Sequence, residues 1–343
     1  MSATPTSLGS RGIPRVGEGV PPSRVLRRMR AAVVSAPGKI NIIKTEIPEP
    51  NPNQLLVRVE GCGVCASNIP SWEGKPWFDY PMAPGAPGHE GWGRIEDVGS
   101  SVGDFKQGDR VAFLSSNAYA DYDVCDSSAA VKLSETADEY PFPGEPLGCV
   151  MNIFRRSSIA KDDTVAIVGI GFLGALLTQL ASATGARVIA LSRREFALRI
   201  AQEMGATHLV ALDDDDINSV RRLTNDRLCD VVVECTGKQR PLDVAGEITR
   251  ERGRLIIAGY HQDGPRQVNM QLWNWRGLDV VNAHERDPGV YVDGIRQAIR
   301  AIDAGLLNPA PLFTHSFPLE CLGDALKIVT RRPDGFMKAL VTT

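Results

Sequence analysis

Between Asp163 and Ala283 the chain alternates short, almost fully apolar runs with segments of helical spacing, and few folds accept that pattern. The runs are DTVAIVGIG, RVIALS, HLVAL, DVVVECTG, RLIIAGY and LDVVNA. Between them lie FLGALLTQLASATG, REFALRIAQEMG, DINSVRRLTN and PLDVAGEITRERG. A strand that is apolar on both sides must be covered on both faces, as in a parallel sheet with helices above and below. Six such strands fit a doubly wound α/β nucleotide-binding domain.

The first of these runs continues as VGIGFLG, which sets Gly169, Gly171 and Gly174 in G-x-G-x-x-G spacing. Alone this spacing is weak. Here it closes a strand and opens a helix, the context in which glycines let a pyrophosphate approach a helix N-terminus. The next strand ends in Ser192, Arg193 and Arg194, where an NAD site carries an acid for the ribose. A hydroxyl and two guanidiniums suit a 2′-phosphate, so NADP(H) is expected over NAD(H). The other reading is that both arginines cap a solvated helix start. Thr236, Gly237 and Gly259 fall at carboxyl ends of strands, where open α/β sheets bind ligands, and are expected beside the cofactor.

Upstream the signals change. AAVV, INIIKTEI, QLLVRVEG, EGWGRIEDVG and DRVAFL are short β runs bounded by turn clusters such as PEPNPN, which predicts a compact all-β unit. The first 28 residues are rich in Ser, Pro, Gly and Arg without apolar periodicity and are expected to form a disordered tail. The β unit is expected over 29–150 and the nucleotide-binding unit over 151–285, with 286–343 packing back to complete the first. A net charge of −3 gives no general attraction to nucleic acid or anionic membrane, and no apolar run is long enough to span a bilayer. Seven scattered cysteines do not make a disulfide scaffold, and a reducing cytoplasm is expected.

Three further motifs carry metal chemistry. GVCASN contains Cys65, GHEGWGRIEDVGSSV contains His89 and Glu90, and EPLGC contains Glu145 and Cys149. Their order, followed by GDRV (Gly108 to Val111) and the glycine loop, resembles the medium-chain dehydrogenase/reductase family in its zinc-dependent alcohol and polyol dehydrogenase branch. The resemblance runs from Met29 to the C-terminus and implies a GroES-like β domain beside a Rossmann domain. It implies a catalytic zinc on Cys65, His89 and Glu145, with Glu90 able to reach the metal or sit behind His89. Cys149, one helical turn past Glu145, is the alternative third ligand. Thiolate, imidazole and carboxylate are good zinc donors, and three of them leave a position open for catalysis. The implied reaction is hydride transfer between a nicotinamide cofactor and a small alcohol or carbonyl substrate, with Ser67 starting a proton relay. Lys338 matches a basic residue on the cofactor phosphates. Polyols, sugar alcohols or cyclitols are implied by Glu145, and a homodimer or homotetramer by the family's habit of pairing Rossmann sheet edges.

The chain departs from the family pattern in places. Asn68 replaces an Asp that supports the metal-bound His, and Pro70 replaces a relay His. Between Val111 and Val131 only Cys125 occurs, so a single zinc per chain is expected, without a structural one. Trp72, Trp77, Phe78 and Tyr80 are expected to wall the substrate pocket, some of them through packing alone. Two alternatives stay open: a zinc-free quinone or enoyl reductase of the same superfamily, and a non-catalytic NADPH-binding protein. Cys62 is expected to be a packing residue and Cys65 a ligand.

Overall fold

The computed structural model of the chain describes residues 27–138 and 140–343. The tail expected over residues 1–28 lies, but for its last two positions, outside them. β1 (Arg28–Ala36) and β2 (Lys39–Glu46) form an antiparallel hairpin. β3 (Gln54–Gly63), β4 (Gly91–Val98), β5 (Arg110–Phe113), β6 (Tyr122–Asp126) and β7 (Ala130–Lys132) pair antiparallel with one another.

The alternating region gives β8 (Thr164–Val168), β9 (Arg187–Ser192), β10 (His208–Ala211), β11 (Cys229–Glu234), β12 (Thr249–Ile257) and β13 (Asp279–Asn282). They form one sheet in the order β10-β9-β8-β11-β12-β13 with every pairing parallel. The chain leaves β8 towards one edge and returns at β11 towards the other, so the topological switch lies between β8 and β11. Open sheets of this kind bind ligands at the carboxyl ends of the strands at such a point. The C-terminal β14 (Phe313–Pro318) and β15 (Lys338–Thr342) rejoin the first unit, in a sheet ordered β14-β15-β3-β4-β5-β7 with β6 on β3. The chain thus combines a GroES-like β unit with a six-stranded Rossmann sheet.

Burial explains why these runs choose strand and helix as they do. Val165 to Val168 and Val188 to Leu191 are entirely enclosed, and Leu176 and Leu177 of the helix Phe172–Ala183 seal one face. Each such Val, Ile or Leu side chain stabilises the fold by about 1.5–3 kcal/mol relative to exposure. The helix Gly144–Ser157, which carries Glu145 and Cys149, lies along the helix Pro288–Asp303. Gly148 and Gly294 let the two backbones nearly touch: a methyl on Gly294 would stand 2.5 Å from the Gly148 carbonyl oxygen. No helix among the described residues is long and apolar enough to cross a membrane.

Two local expectations change. TRERG, read as the end of a helix, is the start of β12, because the helix Gln239–Ile248 stops at Ile248. The helix Met270–Arg276 was not foreseen. It is capped by Asn269, which accepts the Leu272 N–H, and ended by Gly277 in the left-handed region.

Candidate active site

The turn after β3 carries Cys65, and His89 and Glu90 sit just before β4, the antiparallel neighbour of β3. Adjacent strands therefore deliver all three side chains to one place. The donor atoms of Cys65, His89 and Glu90 lie within 4.8 Å of one another. The Cys65 sulfur also caps the short turn Ala66–Asn68, accepting the Ser67 N–H at 3.5 Å.

His89 is oriented from behind by the backbone. Its Nδ1 lies 2.9 Å from the Pro87 carbonyl oxygen, and a carbonyl can only accept, so Nδ1 carries a proton. Nε2 is then the free donor atom, with Ser67 Oγ 3.5 Å away. Asn68, which replaces the Asp expected to accept from this imidazole, does not accept from it. Its amide donates to the Pro87 oxygen at 3.1 Å, and its own oxygen accepts from the buried Tyr119 hydroxyl at 2.9 Å. The carbonyl takes the role expected of the side chain, so loss of the Asp does not leave the imidazole unheld.

The electrostatics call for a cation. Burial pushes the His89 pKa down, yet the hydrogen bond to Cys65 and the charges of Cys65, Glu145 and Glu90 lift it to about 10. In the metal-free protein the imidazole holds a proton where the donors would take a dication. Thiolate, imidazole and carboxylate donors in reach of one another fit zinc. Glu145 stands outside the tight cluster, half-buried, and accepts from the Cys149 thiol at 3.2 Å. Burial raises its pKa, and the His89 charge opposes that shift.

Lys338 is the clearest correction. Expected on the cofactor phosphates, it is enclosed and paired with Glu90, its Nζ 2.8 Å from Oε1 and 2.5 Å from Oε2. The ammonium lies 5.3 Å over the Phe172 ring at the start of the glycine-loop helix. Burial alone lowers its pKa, but the Glu90 charge leaves it above the ordinary lysine value.

The glycine turn has the shape the spacing predicts. Gly169, at φ 101°, and Gly174 have no room for a Cβ, which would collide with Thr236 and with the Gly169 carbonyl. A methyl on Gly171 would meet nothing within 4 Å, so the backbone there is open to a pyrophosphate. Thr236 and Gly237 cap the buried Glu234 carboxylate, which accepts from both backbone N–H groups at 2.6 and 2.9 Å. Gly259 packs directly on Gly237. His261, left unassigned by the sequence, also bonds Glu234, at 3.1 Å, and its Nδ1 accepts from Arg266 at 2.9 Å. The next residue, Gln262, reaches the Ala66 carbonyl beside Cys65 at 3.2 Å and ties the two units together.

The residues after β9 separate. Ser192 Oγ accepts the Arg194 N–H at 3.1 Å, and Arg193 is exposed. The Arg194 guanidinium is tied to backbone carbonyls. It donates to the Phe336 carbonyl at 2.5 Å and to the Ile170 carbonyl at 3.1 Å. Among the aromatics, Trp72 packs on the core near Gly323 and Tyr80 bonds the Ser71 carbonyl, while Trp77 is 59% exposed. Sequence reasoning missed Tyr119, Glu234 and Gln262. The only signal for Glu234 was an acid closing an otherwise apolar strand.

Comparison with known proteins agrees with this geometry. Residues 51–154 match the family described as alcohol dehydrogenase GroES-like domain, and residues 173–299 match zinc-binding dehydrogenase. Sorbitol dehydrogenase of Bacillus subtilis is 26% identical over 350 residues, covering 92% of this chain and 98% of that protein. A zinc-binding dehydrogenase from Sinorhizobium meliloti, solved bound to NADP, superposes with a TM-score of 0.79 at 25% identity, covering 92% of this chain and 100% of the other. An Escherichia coli alcohol dehydrogenase solved with NADH gives 0.82 at 22% identity, covering 92% and 99%.

Proposed function

The chain belongs to the zinc-dependent alcohol and polyol dehydrogenase branch of the medium-chain dehydrogenase/reductase family, and from that premise we propose that it transfers a hydride between NADP(H) and a polyol, sugar alcohol or cyclitol. It is an alcohol oxidoreductase that uses zinc and a nicotinamide cofactor. The observation that carries the proposal is the meeting of Cys65, His89 and Glu90 beside the glycine turn, with the His89 Nδ1 held by the Pro87 carbonyl.

Cys65, His89 and Glu145 would hold one zinc ion, while Lys338 keeps Glu90 behind His89. Zinc, when bound, polarises the alcohol or carbonyl oxygen and offsets its charge. Ser67 Oγ, 3.5 Å from the His89 Nε2, receives the hydroxyl proton of the substrate. Pro70 has no side chain that can take up a proton beyond it, so the proton passes to water. Ser192 and Arg193 favour the 2′-phosphate, and the relation to sorbitol dehydrogenases favours a polyhydroxylated substrate. The seven thiols are all free, which suits a reducing cytoplasm. We further propose a homodimer through the β13 edge.

The test is a metal analysis of protein purified without chelator, followed by rates with sorbitol and other polyols on NADP+ and NAD+. One zinc per chain and NADP+-dependent polyol oxidation are expected. Protein free of zinc that reduces quinones or enones would instead establish the zinc-free reading.

A further inference from the structure

A hydrogen bond crosses from the nucleotide-binding unit to the turn that carries Cys65, and it lands on a peptide that already serves this cysteine. The Gln262 amide donates to the Ala66 carbonyl oxygen at 3.2 Å, over 196 positions of sequence. Only the amide nitrogen can give a proton to a carbonyl, so the side chain has one orientation here. The N–H of the same peptide is that of Ser67, and it donates to the Cys65 sulfur at 3.5 Å. A single peptide group thus accepts from Gln262 on one side and donates to the sulfur on the other. Its oxygen is also bonded by the Ile69 N–H within the turn. The carbonyl is therefore satisfied locally, and Gln262 adds a second donor that the turn itself does not need.

The backbone of Gln262 is fastened on both sides. Its N–H bonds the Tyr260 carbonyl at 3.1 Å. The preceding His261 accepts from Arg266 at Nδ1, so Nε2 carries the ring proton and donates to the buried Glu234 carboxylate at 3.1 Å. Arg266 donates in turn to the Gly237 carbonyl at 2.6 Å and pairs with Asp263. A methyl on Gly259 would stand 2.1 Å from the Gly237 nitrogen, so the segment after β12 lies flush on the end of β11. Gln262 therefore reaches the turn from a fixed point on the Rossmann sheet.

We propose that Gln262 is a positioning residue for the zinc site: it fixes and polarises the Ala66–Ser67 peptide, and through that N–H it tunes the Cys65 thiolate. This rests on the zinc reading above. Donation to a carbonyl draws electron density along the peptide and makes its N–H a stronger donor. An N–H aimed at a thiolate spreads its charge and fixes its direction, and groups behind a metal ligand govern how well it binds. The peptide also leads into Ser67, whose Oγ lies 3.5 Å from His89 Nε2, so the same bond sets the relay hydroxyl. The sheet that binds the cofactor and the turn that binds the metal then keep one register.

The test reads the peptide directly. The chain contains two Ala–Ser peptides, Ala66–Ser67 and Ala181–Ser182. Protein isotopically labelled at alanine carbonyls and serine nitrogens therefore gives one amide resonance for the peptide in question. The other, from the helix Phe172–Ala183, is an internal control. Gln262→Met keeps the length of the side chain and removes the donor, and Gln262→Lys restores one. The Ser67 amide proton should move upfield in Gln262→Met, with and without zinc, while that of Ser182 stays in place. Zinc affinity, read by chelator competition, should fall about tenfold. Thermal midpoints of the metal-free proteins should agree, and Gln262→Lys should recover part of both changes. An unmoved Ser67 resonance, or a moved one with zinc affinity unchanged, refutes the role of Gln262 while the zinc reading stands. A parent chain that takes up no zinc refutes the zinc reading, and the tuning of a zinc thiolate with it.

Discussion

At the scale of single residues, the two cysteines of GCGVC do unlike work. Cys62 is enclosed in the core of the β unit, and burial drives its pKa well up, so it stays a neutral packing thiol. Cys65 faces His89. Cys62→Ala should keep its zinc and most of its activity at a cost of about 1–2 kcal/mol in stability, whereas Cys65→Ala should lose both zinc and turnover. Zinc content and urea denaturation of the two variants read this directly, and equal loss of metal from both would refute the division. The raised His89 pKa makes a second prediction. Below about pH 10 the metal-free imidazole is protonated, and a metal takes only the neutral ring, so zinc binding near pH 8 must expel that proton. Calorimetry in buffers of different ionisation enthalpy should show release of at least one proton, declining as the pH is raised past 10. No buffer dependence at pH 8 would contradict the assignment of Nε2 to the metal. The donors themselves were legible because GHE and GVCAS keep their residue types at fixed places. The support of His89 was not: it comes from a backbone carbonyl, and Tyr119 reaches Asn68 across 51 positions of sequence. Lys338 was misplaced for a related reason. Its neighbours Met337 and Ala339 are both buried, so FMKALV is an enclosed strand and its lysine can only face a partner inside.

At the scale of elements, the helix Gly144–Ser157 sets the position of Glu145, and its own position depends on the glycine crossing with Pro288–Asp303. Gly294→Ala drives a methyl to 2.5 Å from the Gly148 carbonyl, so the helices must separate. The expected cost is about 1–3 kcal/mol, as for other overpacked interiors. Because the shift moves Glu145 relative to Cys65 and His89, zinc should also be held less tightly. A chelator competition run beside thermal melts would show both effects, and a melt lowered with unchanged zinc affinity would mean that Glu145 does not ligate. Strands β8 to β13 were legible because each contains a continuous apolar run, although the polar first half of β12 was read as helix. β6 and β7 were not, since YDVCD and AVK are too short and mixed in character to stand out from turns. The helix Met270–Arg276 had its signals, Asn269 and Gly277, but seven residues present too little periodicity to be heard between two loops.

At the scale of the whole molecule, the β13 edge of the Rossmann sheet pairs with no further strand among the described residues. β13 ends the Rossmann sheet, and its Val280 is 40% exposed. The helix before it offers Trp275 at 88% exposure and Met270 at 52%. An unpaired strand edge flanked by large apolar side chains favours association, and natural chains usually blunt such an edge or bury it. Two copies related by a twofold axis can set β13 against β13 antiparallel and join two six-stranded sheets into one, an isologous contact that closes on itself. Sedimentation should therefore give twice the mass of one chain. Val280→Asp, which places a like-charged pair across the twofold, and Trp275→Glu should each shift the population towards monomer. The metal cluster belongs to the other unit, so zinc content should survive the dissociation. A parent chain that sediments as a monomer, or a dimer indifferent to both substitutions, would place the contact elsewhere. The β13 edge lies at the opposite border of the sheet from β10, with the glycine turn at the switch between β8 and β11, so dimerisation leaves the cofactor crevice open. The same sheet can then bind a second copy at its edge and the cofactor at its centre without either blocking the other.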